Sequence, residues 1–217
     1  MPHVILLGDS IFDNKAYVRA GEPDVIRQLR ERLPDGWRAT LLAVDGDVTD
    51  SIHYQLARLP ADATHLVISV GGNDVLGLLS ALNEPVRTIA EAFTRFATLR
   101  DQFEKSYRRM LDAVLARGLP TAVCTVYNGF SPDPAFQRVA IVGAALWDDV
   151  ILRAVVERGL PALELRLICA DSGDYANPIE PSAQGGAKIA ASIAALLAAH
   201  DFGARRAQVY ALPASGA

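Results

Sequence analysis

The chain has 217 residues, and half of them are hydrophobic, which suits one large domain spanning 1–217 with ample material for a core. Charged residues make up 21% and the formal net charge is −4. With no basic run longer than Arg205-Arg206, the composition excludes a disordered chain and offers no electrostatic footprint for nucleic acid or an anionic membrane.

Met1-Pro2-His3 leads straight into apolar Val4–Leu7 without a basic stretch or a small-residue cleavage site, so the expectation is no secretory signal and a cytoplasmic location. No apolar run approaches the length of a membrane span. Val4–Leu7 reads as a buried strand ending at Gly8, and Val25–Leu33 as a short helix closed by Pro34-Asp35-Gly36. Trp37–Val44 is a second strand before the Asp45-Gly46-Asp47 turn. One or two helical turns follow over Ile52–Leu59, then a third strand over His65–Val70, stopped by Gly71-Gly72. Leu99, Phe103, Tyr107, Met110 and Val114 recur at helical spacing and predict a helix over Thr98–Arg117. Thr121–Tyr127 is a fourth strand, Pro134–Arg158 a long helix, Leu163–Ile168 a fifth strand and Ala183–Ala199 a last helix. The tail Ala207–Leu212 offers a short extra strand that Pro213 would end, with fraying beyond. Strands alternating with helices predict a three-layer α/β/α fold of flavodoxin-like type, with a mostly parallel, five-stranded sheet. Cys124 and Cys169 lie in or beside apolar strand-like runs and read as reduced core residues.

Ligands of open α/β sheets bind beyond the carboxyl ends of the strands. There this chain places Gly8-Asp9-Ser10 after the first strand, Gly46 after the second, Gly71-Gly72-Asn73-Asp74 after the third and the Asp171–Ser182 loop after the fifth. The first strand with Gly8-Asp9-Ser10, then Gly46, then Ser69-Val70-Gly71-Gly72-Asn73-Asp74, resembles the ordered blocks of the GDSL/SGNH hydrolases, and the likeness spans most of the chain. The resemblance implies a cofactor-independent esterase, thioesterase or deacetylase acting on a small-molecule ester through an acyl-serine intermediate. Ser10 would be the nucleophile. The Ser10 N–H, the Gly46 N–H and the Asn73 side-chain amide would form the oxyanion hole. A serine just past a strand end exposes its hydroxyl where N–H groups point at developing negative charge, a glycine admits close backbone approach, and an asparagine donates without a competing charge.

The last block departs from the family. Where Asp-x-x-His is usual, this chain has Asn177-Pro178-Ile179-Glu180, and no histidine lies between His65 and His200. Three readings stay open. Glu180 is the general base, with Asn177 orienting it and Pro178 and Pro181 stiffening the loop. Or His53 or Asp174 reaches the serine from another loop. Or the base is lost, and the chain is a catalytically inactive ligand-binding protein on the same fold. Asp9 and Asp74 are expected to hold loops through nearby N–H groups, Asp13 and Asn14 to shape the pocket rim, and Asp148-Asp149 to lie on a solvated helix face. No metal-ligand spacing, P-loop or G-x-G-x-x-G follows the strands, so no metal, nucleotide or other cofactor is expected.

Overall fold

The apolar run near the start of the chain becomes an interior strand. In the computed structural model, which describes residues 1–211, β1 (His3–Gly8) is buried along its whole length. It lies between β2 (Arg38–Leu41) and β3 (His65–Ser69) in a six-stranded sheet of order β2-β1-β3-β4-β5-β6. Every pairing in the sheet is parallel. Between β1 and β2 the chain forms α1 (Val25–Arg32), capped by the Asp24 side chain, which accepts from the Arg27 N–H. A 3₁₀ turn and α2 (Ile52–Leu56) precede β3, and α3 (Gly72–Leu76) follows it. Then come α4 (Ile89–Leu115), β4 (Thr121–Cys124), α5 (Pro134–Glu157), β5 (Pro161–Leu163), α6 (Leu165–Ile168), α7 (Ala183–Ala199) and β6 (Gln208–Tyr210).

Alternate side chains of β1 feed two cores, as the pleat requires. Val4 and Leu6 pack with Val25 and Leu29 of α1 and Ile189, Ile193 and Leu196 of α7. Ile5 and Leu7 pack on the other face with α2, α4 and α5, through residues such as Ile52, Tyr107, Leu111 and Trp147. Three layers follow directly. Both cysteines are buried with free thiols.

Four sequence expectations need correction. The sheet has six strands rather than five, because the tail does pair, at Gln208–Tyr210; Leu212 and Pro213 lie outside the described residues. The fifth strand is Pro161–Leu163, and most of the run expected to continue it coils into α6. Buried Glu164 breaks the run: its carboxylate accepts from the Arg166 N–H as an N-cap and from the Thr125 hydroxyl, 2.9 Å away. Helix α4 begins at Ile89 rather than Thr98, with Thr88 capping the Glu91 N–H. Its early turns carry exposed Ile89 and Phe93, so they lack the core-facing stripe that reveals the rest. Asp148 is fully buried rather than solvated, accepting from the Val126 N–H at 2.8 Å and pairing with Arg166 at 3.3 Å. Asp149 does face outward, toward Arg153 and Arg100.

The strand order places the site. From β1 the chain goes outward to β2, then crosses back over β1 to β3, so the loops after β1 and β3 diverge at a switch point and leave a crevice. Gly8 and Ser69 are register partners, so both strands end level. Gly8 is required here: its φ is +138°, and a Cβ would sit 1.8 Å from the Ser69 carbonyl oxygen.

Candidate active site

Ser10 stands two residues beyond that level end. Asp9 donates its N–H to Ser69 O at 3.1 Å, while its side chain accepts from Ile11 N at 3.1 Å and its carbonyl accepts from Phe12 N and Asp13 N. This tight turn leaves the Ser10 N–H without an acceptor among the described residues and directs Ser10 into a cavity of about 730 Å³. Asp9, Asn73 and Glu180 line the same cavity. Asn73 sits in the first turn of α3 and donates its side-chain amide to Asp47 O at 2.9 Å.

Gly46 is placed differently. It does not line the cavity; it occupies the turn after β2 with φ +84°. Its neighbour Asp47 is the acceptor for Asn73, so the turn is tied to the cavity wall from behind. Buried Gln55 fixes that turn. It accepts from Gly8 N at 2.8 Å and donates to Gly8 O and to the Asp47 carboxylate at 2.7 Å each. Asp74 accepts from the Thr49 N–H and hydroxyl at 3.0 Å, the loop-holding role expected of it.

Glu180 reaches the site from the far end of the sequence. Asn177 does not touch its carboxylate; the Asn177 side chain accepts from the backbone N–H groups of Ile179 and Glu180, at 3.0 and 2.9 Å. Distant residues then fasten the loop. Tyr127 donates its hydroxyl to Ile179 O at 2.6 Å, Phe130 N donates to Pro178 O at 2.8 Å, and Asn14 donates its side-chain amide to Pro181 O at 3.1 Å. Gly129 permits this approach: at φ +65°, a Cβ there would lie 2.6 Å from Pro178 O. Asn14 is fully buried rather than at a rim, and its Oδ1 also accepts from Val25 N at 2.9 Å, so it clasps the segment after Ser10 to the Glu180 loop. Sequence reasoning missed Tyr127 and Gln55, because nothing local distinguishes them from ordinary core and helix residues.

Burial pushes the Glu180 carboxyl up to about 7, with the nearby Ser10 hydroxyl opposing that rise and the Asp45 charge adding to it. Its Oε2 is buried with no partner among the described residues. Burial pushes Asp9 up to about 8; the Ile11 N–H opposes this, and the charges of Glu180 and Asp74 reinforce it. The two alternative bases lie elsewhere. His53 is exposed on α2 with Nδ1 against Asp50 O, outside the cavity lining. Asp174 is buried but engaged by Lys188 at 2.8 Å, by the Gln184 amide and by the Asp171 N–H. Among the described residues no group of three His, Cys, Asp or Glu side chains could hold a metal ion, and no helix is long and apolar enough to cross a membrane.

The raised pKa of Asp9 has a stability consequence. From the ordinary value of 3.8 up to about 8 the folded chain keeps a proton that the unfolded chain has lost, so stability falls as pH rises through that window. Asp9→Asn keeps the acceptor for Ile11 and removes the ionisation. It is expected to raise Tm by several degrees at pH 8 and to change it little near pH 4. Thermal unfolding followed by circular dichroism at both pH values checks this; equal shifts at the two would contradict it.

Ser10, Asn73 and Glu180 thus line one cavity at the switch point of a parallel α/β/α sheet. The model of the GDSL-like lipase/acylhydrolase family matches residues 6–188, and the chain belongs to that family, whose members hydrolyse esters. Similar solved structures include an extracellular lipase from Streptomyces rimosus, 16% identical over 91% of this chain and 99% of that one, with a TM-score of 0.62. An acetyl xylan esterase, AlAXEase, is 17% identical over 91% of this chain and 100% of that one, with a TM-score of 0.66. A putative arylesterase from Agrobacterium tumefaciens is 14% identical over 91% of this chain and 99% of that one, also at 0.66. At such identities these likenesses speak for the fold. No curated protein sequence matches the chain.

Proposed function

We propose that the chain is a serine hydrolase in which Glu180, rather than a histidine, is the general base. The observation that carries this reading is that Ser10 and the buried Glu180 line one cavity, with burial pushing the Glu180 carboxyl up to about 7. A base poised near the operating pH combines a useful ionised fraction with a useful affinity for the proton. Ionised Glu180 takes the Ser10 proton as Oγ bonds to the ester carbonyl carbon. The negative oxygen that forms faces the Ser10 N–H and the Asn73 amide. Collapse breaks the bond to the alcohol oxygen, which leaves with the proton from Glu180, and the acyl group remains on Ser10. Water, deprotonated by the same carboxylate, then releases the acid and restores the serine. Gly46 supports this site through its turn, and Asn177 acts as a positioning residue through the Glu180 backbone. Asp9, protonated through most of the neutral range, adds little negative charge beside the nucleophile.

Covalent labelling tests the reading. A fluorophosphonate probe should modify the protein stoichiometrically, and peptide mass spectrometry should place the adduct on Ser10. A folded protein that resists the probe over hours would count against an activated serine.

A further inference from the structure

The cavity that Ser10 enters is far larger than an acetyl group needs, and its walls are apolar. It runs between the segment after α3, the first turns of α4 and the N-terminal half of α5. Leu79, Leu82, Phe93, Phe136, Val139 and Val142 all line it, and all are exposed. Large apolar side chains gathered around one cavity next to a nucleophile, rather than scattered singly, mark a surface that an apolar ligand covers. Beyond Asp9 and Glu180 at the Ser10 end, the only charged residue of the lining among the described residues is Arg138. Gln137 is occupied with the protein's own loop, accepting from Ser131 N and donating to Gly129 O. Asn128, Ser131 and Arg138 are polar exceptions in a wall that is otherwise largely apolar beyond the Ser10 end.

Gly143 supplies an independent observation. It lies inside α5, where glycine costs about 1 kcal/mol relative to alanine. It lines the cavity, has an ordinary helical φ, and a Cβ there would meet no atom within 4 Å. Neither backbone conformation nor packing calls for a glycine at this position; its effect is to leave the cavity open.

We infer that this cavity is an acyl-chain site, and that the substrate is an ester of an acid with a long apolar chain rather than of acetic acid. The inference rests on Ser10 being the nucleophile. A methylene fills about the volume of one water molecule, about 30 Å³, so a ten-carbon chain occupies less than half of the 730 Å³ and leaves space for the ester group. The acyl side is assigned because the acyl group stays on Ser10 through both half-reactions, whereas the alcohol must leave and be replaced by water near Glu180. A walled apolar cavity fits the group that is retained.

The test is kcat/KM for p-nitrophenyl esters from acetate to dodecanoate, alongside alkyl acetates from ethyl to decyl. Values should rise up to about fourfold per methylene along the acyl series and stay flat along the alcohol series. In Gly143→Phe the decanoate-to-acetate ratio should fall at least 30-fold, a readout that a general loss of activity does not move. A flat or falling acyl series would overturn the proposal, and so would a rise confined to the alcohol series. If Ser10 resists the fluorophosphonate and no ester turns over, the hydrolase reading fails by itself. Displacement of a fluorescent fatty-acid probe by decanoate then decides the cavity: displacement that weakens in Gly143→Phe sustains an acyl-chain site, and its absence removes it.

Discussion

Ser10→Ala should lower the kcat for an activated ester by about 10⁴- to 10⁶-fold, since loss of a nucleophile removes the covalent route altogether. The residual rate would come from the Asn73 amide and the Ser10-position N–H acting on a water attack. The fold should survive: Ser10 is buried but lies in a turn held by Asp9, and it lines the cavity rather than joining either core. A stability change within about 1 kcal/mol is expected by chemical denaturation. Turnover by the purified variant at the wild-type rate would reject Ser10 as the nucleophile.

Glu180→Gln should cost about 10³-fold or more in kcat, because the amide preserves shape but cannot take the serine proton. In the wild type, kcat/KM should fall as pH drops through about 7, where Glu180 gains its proton. This limb lies close to where a histidine base, with an ordinary pKa of about 6.5, would also titrate, so position alone does not separate the two. The heat of ionisation does. A carboxyl ionises with little heat and an imidazole with a large one, so the limb should barely move with temperature if Glu180 is the base. The limb should vanish from the residual rate of Glu180→Gln, while His53→Gln should keep both rate and profile, as its exposed place on α2 suggests. A crippled His53→Gln beside an active Glu180→Gln would transfer the base to α2.

Sequence periodicity by itself determined the order of strands and helices, because an interior parallel strand must be apolar throughout and a surface helix must carry a stripe. It also located the loops bearing Ser10 and Asn73, since Gly-Asp-Ser and Gly-Gly-Asn-Asp directly follow two such strands. The irregular parts were less legible. The early turns of α4 escaped notice because Ala92 and Phe93 line the cavity and Ile89 is exposed, and α6 because four apolar-rich residues fit a strand as well as a helical turn.

Tertiary structure decided everything that depends on distant segments meeting. Asp148 and Asp149 are indistinguishable neighbours in the chain, yet only Asp148 is buried, because α5 turns it toward Val126 and Arg166. In the sequence Glu180 is a candidate base beside His53 and Asp174. It becomes a buried group with a pKa about 7 only when Tyr127, Phe130 and Asn14 fasten its loop over Ser10. Desolvation depends on what surrounds a group in space, and the residues that surround Glu180 lie as many as 167 positions away along the chain from the carbonyl they hold.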